Sequence, residues 1–310
     1  MNHHILCAAI ACLLVSIVAV GQSSGPVRDR AITVITEPEA RVWVAGVLYG
    51  TTDDTGRLKI TSVPSGIRIV KIRKKGFSEA TKSLAATTRG DVSVKLVRTS
   101  DEAELAFQSA EAMTTVDREK AIAEYQRALK LRPGYVDCYI GLARAYSERG
   151  EIENAFAAIK NAKRVKPGNA EISAIEGRLL KDSGEEDKAI AAFKRSIAEG
   201  RGFQPEAYTG LGLLYKDRAE NAGGSGEFAL ESSNYDEAEK NLVIATRQLG
   251  SAPDAIVVTQ LLGLIYEKQK HYQQAIALYQ EFLRIFPDAV EAEAVRSFIV
   301  QIRKQMAEQP

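Results

Sequence analysis

Few side chains in this 310-residue chain are of the kinds that do covalent or metal chemistry: it holds three histidines and three cysteines. His3, His4, Cys7 and Cys12 fall in the first 21 residues, which leaves His271 and Cys138 for the remainder. These two are 133 residues apart, and any nucleophile–base pair would have to use His271. Glu267 precedes His271 by four residues and is spaced to pair with it. A metal site needs three or four convergent ligands, and no spacing supplies them, so a surface histidine is expected. Gly223, Gly224 and Gly226 form no phosphate loop, because no Gly-Lys-Ser/Thr follows them. Carboxylates are plentiful, which keeps a two-carboxylate hydrolase as a third reading, although no segment gathers them. The sequence predicts no catalytic residue, no metal and no cofactor. What it concentrates is positive charge, with Arg68, Lys71, Arg73, Lys74 and Lys75 inside one short run.

The elements that would position such residues follow from composition and patterning. With 41 Lys+Arg against 40 Asp+Glu, the net charge of +1 excludes a strongly basic nucleic-acid binder. A hydrophobic fraction of 45% and a charged fraction of 26% are those of a folded chain, and the length suits about two domains. Charge is divided unevenly: residues 22–98 carry 14 basic and 7 acidic side chains, a balance of +7, and residues 99–310 carry −6.

From Ile5 to Val20 the chain is apolar except for Ser16. Sixteen residues are short for a membrane span of about 20 and suit a signal-peptide core. Ala19 and Gly21 put small residues at the −3 and −1 positions of a cleavage site before Gln22. Residues 1–21 are expected to be a signal peptide and 22–30 a linker, with an uncleaved anchor as the alternative. The expected location is extracytoplasmic: periplasmic, secreted or envelope-associated. Cleavage leaves Cys138 alone, and a lone thiol in an exported protein is expected to be buried.

Between residues 31 and 98 the period is close to two. Arg41-Val42-Trp43-Val44, Leu58-Lys59-Ile60-Thr61 and Asp91-Val92-Ser93-Val94-Lys95-Leu96 alternate between turn signals such as Ala45-Gly46, Thr55-Gly56 and Pro64-Ser65-Gly66. This predicts a small antiparallel β-sandwich. The run Thr36-Glu37-Pro38-Glu39-Ala40-Arg41-Val42-Trp43-Val44-Ala45-Gly46, with Gly50-Thr51-Thr52, Val63-Pro64-Ser65-Gly66 and Arg73-Lys74-Lys75-Gly76-Phe77, resembles the PEGA family of exported prokaryotic β-domains. The glycine of the naming motif is missing, since Ala40 follows Glu39, and a carboxypeptidase-regulatory-like sandwich is the related alternative. The resemblance implies a binding or spacer module. On a strand Arg68 shares a face with Val70, Ile72 and Lys74, while Lys71, Arg73 and Lys75 share the other. The cluster reads as a patch for anionic glycan or lipid headgroups, or as a solvated face whose cations discourage edge pairing.

Residues 99–289 repeat. Pro133 and Pro167 are 34 apart, as are Pro253 and Pro287. Tyr139, Leu142, Ala143, Tyr146, Ala155, Ile159 and Ala162 recur in kind as Tyr208, Leu211, Gly212, Tyr215, Ala238, Leu242 and Ala245, then as Leu262, Gly263, Tyr266, Ala275 and Tyr279. The pattern resembles tetratricopeptide repeats, and predicts five units followed by a capping helix and tail over 290–310. Tyr215 to Ala238 spans 23 residues where the equivalent spacing elsewhere is 9. The extra stretch, about 216–234, is rich in Gly and Ser and reads as a mobile flap or a plain disordered linker.

The tetratricopeptide resemblance implies a concave groove lined by first helices. Carried over, its inward positions are Asp137, Glu171 and Glu206, then Arg144 and Arg178, then Lys181 and Lys216. Arginines there would fork onto the carboxylates of an extended peptide, or else be solvated charges paired along the array. The fold expected is a small antiparallel β-sandwich followed by an all-α superhelical solenoid. The function expected is a non-catalytic, exported bacterial scaffold holding a protein or extended peptide of the cell envelope in its groove. The alternative is an envelope structural module whose basic β-domain holds anionic glycan or lipid.

Overall fold

The computed structural model describes residues 30–308. The expected signal peptide, its cleavage site and nearly all of the linker lie outside the described residues.

Seven strands come first: β1 (Arg30–Ile35), β2 (Arg41–Val44), β3 (Val47–Thr51), β4 (Arg57–Val63), β5 (Arg68–Arg73), β6 (Ala80–Leu84) and β7 (Gly90–Ser93). They form two sheets, ordered β4-β1-β7 and β3-β2-β5-β6. All pairs are antiparallel except β1 with β7, which run parallel. Alternation decides the faces. Ile32, Val34, Val42, Val44, Ile60, Val70 and Ile72 are buried between the sheets. Each such residue contributes about 1.5–3 kcal/mol by leaving water. The opposite face of the larger sheet presents Arg41, Trp43, Lys71 and Arg73, with Trp43 beside Lys71 and Arg41 beside Arg73 in register.

Eleven helices follow among the described residues: α1 (Glu102–Met113), α2 (Arg118–Leu131), α3 (Val136–Glu148), α4 (Ile152–Val165), α5 (Ala170–Asp182), α6 (Glu186–Glu199), α7 (Pro205–Gly224), α8 (Phe228–Leu249), α9 (Asp254–Lys268), α10 (Tyr272–Ile285) and α11 (Ala292–Ala307). The first ten make five pairs, and α11 closes the stack by burying Val295, Ile299 and Ile302. Asp101, Asp117 and Asn169 cap α1, α2 and α5 by accepting backbone N–H bonds from Glu104, Lys120 and Ile172. The recurring small residue is a packing requirement: a Cβ on Gly263 would strike the ring and hydroxyl of Tyr279.

The stretch around 216–234 differs from the flap or linker expected from its composition. It is helical, and it lengthens α7 to 20 and α8 to 22 residues where α3 to α6 have 13 or 14. Ala219 and Ala222 are buried, and a Cβ on Gly223 would stand 2.7 Å from the Glu231 carboxyl carbon. Small residues at i, i+3 and i+4 thus let the two helices approach, and the reversal is confined to the turn around Ser225 and Gly226.

Candidate functional site

The first helices α3, α5 and α7 stand side by side, and their charges are shared. Arg144 on α3 places Nη2 3.2 Å from Glu171 on α5 and 3.2 Å from Glu206 on α7. Arg178 on α5 reaches Glu206 at 3.5 Å. The four side chains form one partly exposed ladder across three repeats. Loss of solvent raises the Glu171 pKa against the pull of Arg144, and Glu206 beside it adds to the rise. Lys181 and Lys216 stay outside the ladder: Lys181 pairs with Asp182 at 3.4 Å, and Lys216 with Glu220 at 2.7 Å. The arginines therefore already pair with carboxylates of this chain, and within the Arg144 guanidinium only Nε is shielded without an acceptor among the described residues.

Asp137 has a different partner. Its carboxylate accepts from Nη2 of Arg73, the strand residue that sequence alone assigned to an open basic patch. Arg73 is 6% exposed. Its Nε donates to Glu79 at 2.6 Å and its Nη1 to Glu111 on α1 at 3.0 Å. The patch is corrected accordingly, because the outer sheet face turns toward α1 and α3. Lys71 lies 3.9 Å from Asp137, and Arg41 3.7 Å from Glu111. The Arg73 guanidinium is 5.3 Å from the Trp43 ring centre and 4.6 Å from that of Phe107. Lys74 bonds the Pro38 carbonyl, Lys75 is exposed, and Arg68 sits at the far end of the strand, 4.2 Å over Phe203.

Two further contacts fix the sandwich on the helices. Gln108 on α1 donates to the Phe77 carbonyl at 2.7 Å and accepts from Gly76 N–H at 2.8 Å. At the end of α8 and just past it, Tyr49 Oη donates to the Leu249 carbonyl at 2.9 Å, Ser251 N–H to the Ser62 carbonyl at 3.1 Å, and Ser62 N–H to Ser251 Oγ at 3.0 Å. One apolar cluster runs from the sandwich through Leu249 and Ala252 into the last two pairs. Gln108, Glu111, Phe203 and the 249–251 turn carry no motif, so sequence reading missed them. Val257 and Leu264 could have been found: they hold the inward positions of Asp137 and Arg144 in the fifth repeat, and are 67% and 61% exposed.

The residues weighed for chemistry are placed simply. His271 Nδ1 lies 3.1 Å from Glu239, not Glu267, which accepts from Tyr279 Oη at 2.9 Å. Cys138 is buried, and burial raises its thiol pKa. Among the described residues no group of three His, Cys, Asp or Glu side chains is gathered to hold a metal, and no helix is long and apolar enough to cross a membrane.

Tetratricopeptide-repeat family models match residues 117–179 and 260–289. The helical part is a tetratricopeptide-type solenoid. A solved structure shares the fold: yeast Tom70 at 17% identity and a TM-score of 0.53, over 67% of this chain and 41% of that one. This chain thus spans about two-fifths of Tom70. MamA is 22% identical with a TM-score of 0.42, over 63% of this chain and 96% of that one. YrrB, described as a TPR protein with an unusual peptide-binding site, is 19% identical with a TM-score of 0.38, over 64% and 93%. No curated protein matches. The matched family segments lie within the solenoid and leave the β-sandwich unassigned.

Proposed function

We propose that this chain is a non-catalytic, exported scaffold of the cell envelope, in which a PEGA-like sandwich is clasped against the solenoid and the inner helices bind a protein partner through an extended segment. The observation that carries the reading is the sequence of surfaces along those helices. The ladder Arg144, Glu171, Arg178 and Glu206 stays partly exposed, and the register then changes to the exposed apolar pair Val257 and Leu264. A segment with polar residues followed by apolar ones matches both. The sandwich holds Asp137, its Lys71 acts electrostatically on Glu171, and the Arg144, Glu171, Arg178 and Glu206 side chains beyond it keep 30–39% of their surface exposed. Its outer-face cations meet carboxylates of α1 and α3, which weighs against Lys71 and Arg73 as a surface for anionic glycan or lipid.

Selection of displayed random peptides on the immobilised chain tests this. Enriched peptides should lose about tenfold or more in affinity for Leu264→Asp, and for Arg144→Ala with Arg178→Ala, since interface anchors dominate binding. Leu264→Asp should melt close to the parent, whereas the arginine pair leaves Glu171 and Glu206 without their arginines and should melt somewhat lower, so binding is compared well below both transitions. Failure to enrich any sequence, or equal binding to parent and variants, would remove the groove assignment. Export rests on the Ile5–Val20 run, and amino-terminal sequencing of the protein from its own cells should begin near Gln22.

A further inference from the structure

At one end of the sandwich the inward face of each sheet finishes in an arginine. Arg30 begins β1 in line with Ile32 and Val34, and Arg68 begins β5 in line with Val70 and Ile72. Arg30 is 1% exposed. Its Nη2 donates to the Gly66 carbonyl at 2.7 Å and its Nη1 to the Ala85 carbonyl. The Arg68 guanidinium folds back over the same turn, 3.7–3.8 Å from where a Gly66 Cβ would stand. Arg89 belongs to the loop that supplies Ala85, whose carbonyl also accepts from Thr88 N–H at 3.1 Å. Three guanidiniums therefore converge on two adjoining loops, graded from buried Arg30 through half-buried Arg68 to exposed Arg89.

Among the described residues Tyr49 is the neighbour that favours the Arg68 charge, and no carboxylate pairs with the cluster. Its acceptors are neutral carbonyls: Gly66 and Ala85 for Arg30, Ile67 for Arg68, Thr88 for Arg89. Nε of Arg30 and Nε of Arg68 are shielded from solvent and have no acceptor among the described residues. Burial, then Arg89 and Arg68, lower the Arg30 pKa, so the neighbours add to the cost of its charge. Arg73, with three carboxylates, shows what this fold does elsewhere with a buried guanidinium. Buried charges persist when paired, and two orphaned N–H groups mark a missing acceptor.

We infer that Arg30, Arg68 and Arg89 form a binding site for a phosphate group at this end of the sandwich. A tetrahedral oxyanion presents several acceptor oxygens and up to two negative charges, which suits guanidinium forks better than a single carboxylate. The anion is held at the mouth by Arg68 and Arg89, with the buried Arg30 charge behind them. Phe203 of the solenoid backs Arg68, so an occupied site also ties the sandwich to the helices. This goes beyond the groove reading, and either can fail without the other.

Calorimetric titration of the full chain with inorganic phosphate, and separately with glycerol 3-phosphate, at ionic strength held by chloride, tests the site. Phosphate should bind with a Kd on the order of 1 mM or tighter, and 10 mM should raise the melting temperature by about 3 °C beyond chloride. Arg89→Gln, on an exposed loop, should fold normally and weaken binding about tenfold, as should Arg68→Gln. Binding of both ligands means that the site is open to esters; binding of inorganic phosphate alone means that it encloses the free ion. No heat from either ligand, or unchanged affinity in both variants, overturns the proposal. So does phosphate binding that is absent from the parent and appears only in Asp29→Asn, since the residue preceding Arg30 would then be the counter-charge.

Discussion

Arg73 and Asp137, 64 residues apart, join the outer face of a β-sheet to the first turn of α3. Burial opposes the Arg73 charge, yet Glu111, Asp137 and Glu79 together hold its pKa above the ordinary arginine value. A strand cation of one folding unit thus serves as the counter-ion for an inner-helix acid of the other. The uneven charge of the two halves, +7 and −6, is spent in part inside the molecule.

The opposite end of this junction depends on Gly250. Its φ is +58°, and a Cβ there would stand 2.5 Å from the Ser62 carbonyl oxygen. Gly250→Ala should lower stability by about 1–3 kcal/mol through backbone strain and the displaced Ser62–Ser251 contact. Urea unfolding would read it, and an unchanged midpoint would mean that the turn does not hold the sandwich.

Glu171 should leave a signature in pH. Its folded pKa is raised, so the folded state keeps its proton to higher pH than the unfolded state, whose value is near 4.5. Stability from this residue is full below that value and is lost as pH rises through the raised folded pKa. The stability of the parent relative to Glu171→Gln should therefore fall from pH 4.5 towards neutrality. A difference that grows with pH would contradict the account of the ladder.

Hydrogen exchange distinguishes the helical hairpin from a linker. Amides of 216–224 and 230–236 should be protected, with fast exchange limited to the turn near Ser225 and Gly226. Uniform exchange at unprotected rates over 216–234 would restore the loop reading. The exposed Phe228, at 72%, predicts that Phe228→Ser changes stability by no more than about 0.5 kcal/mol.

Much of the architecture was legible because it is periodic. Strand alternation separates Val70 and Ile72 from Lys71 and Arg73, and the 34-residue spacing sets the helical pairs and the Asp137, Glu171 and Glu206 row. Composition misled at 216–234, where Gly and Ser suggested a linker. Ala219, Ala222 and Gly223 instead make one small-residue stripe, a tertiary fit that turn propensity does not reveal. Asp137, Glu171, Glu206, Arg144 and Arg178 lie on α3, α5 and α7, and the partners they take were not readable from the sequence. Arg73 with Glu111, and Arg144 with Glu206, meet across separations of 38 and 62 residues that no local pattern encodes.

The clasp between sandwich and solenoid is tested most directly by a double-mutant cycle of Arg73→Met and Asp137→Asn, read by urea unfolding of the full chain. The two residues share one ion pair, so the sum of the two single losses should exceed the loss in the double variant by a coupling of about 1–3 kcal/mol. Additivity within about 0.3 kcal/mol would mean that Arg73 and Asp137 do not meet, and that the sandwich does not rest on the inner helices.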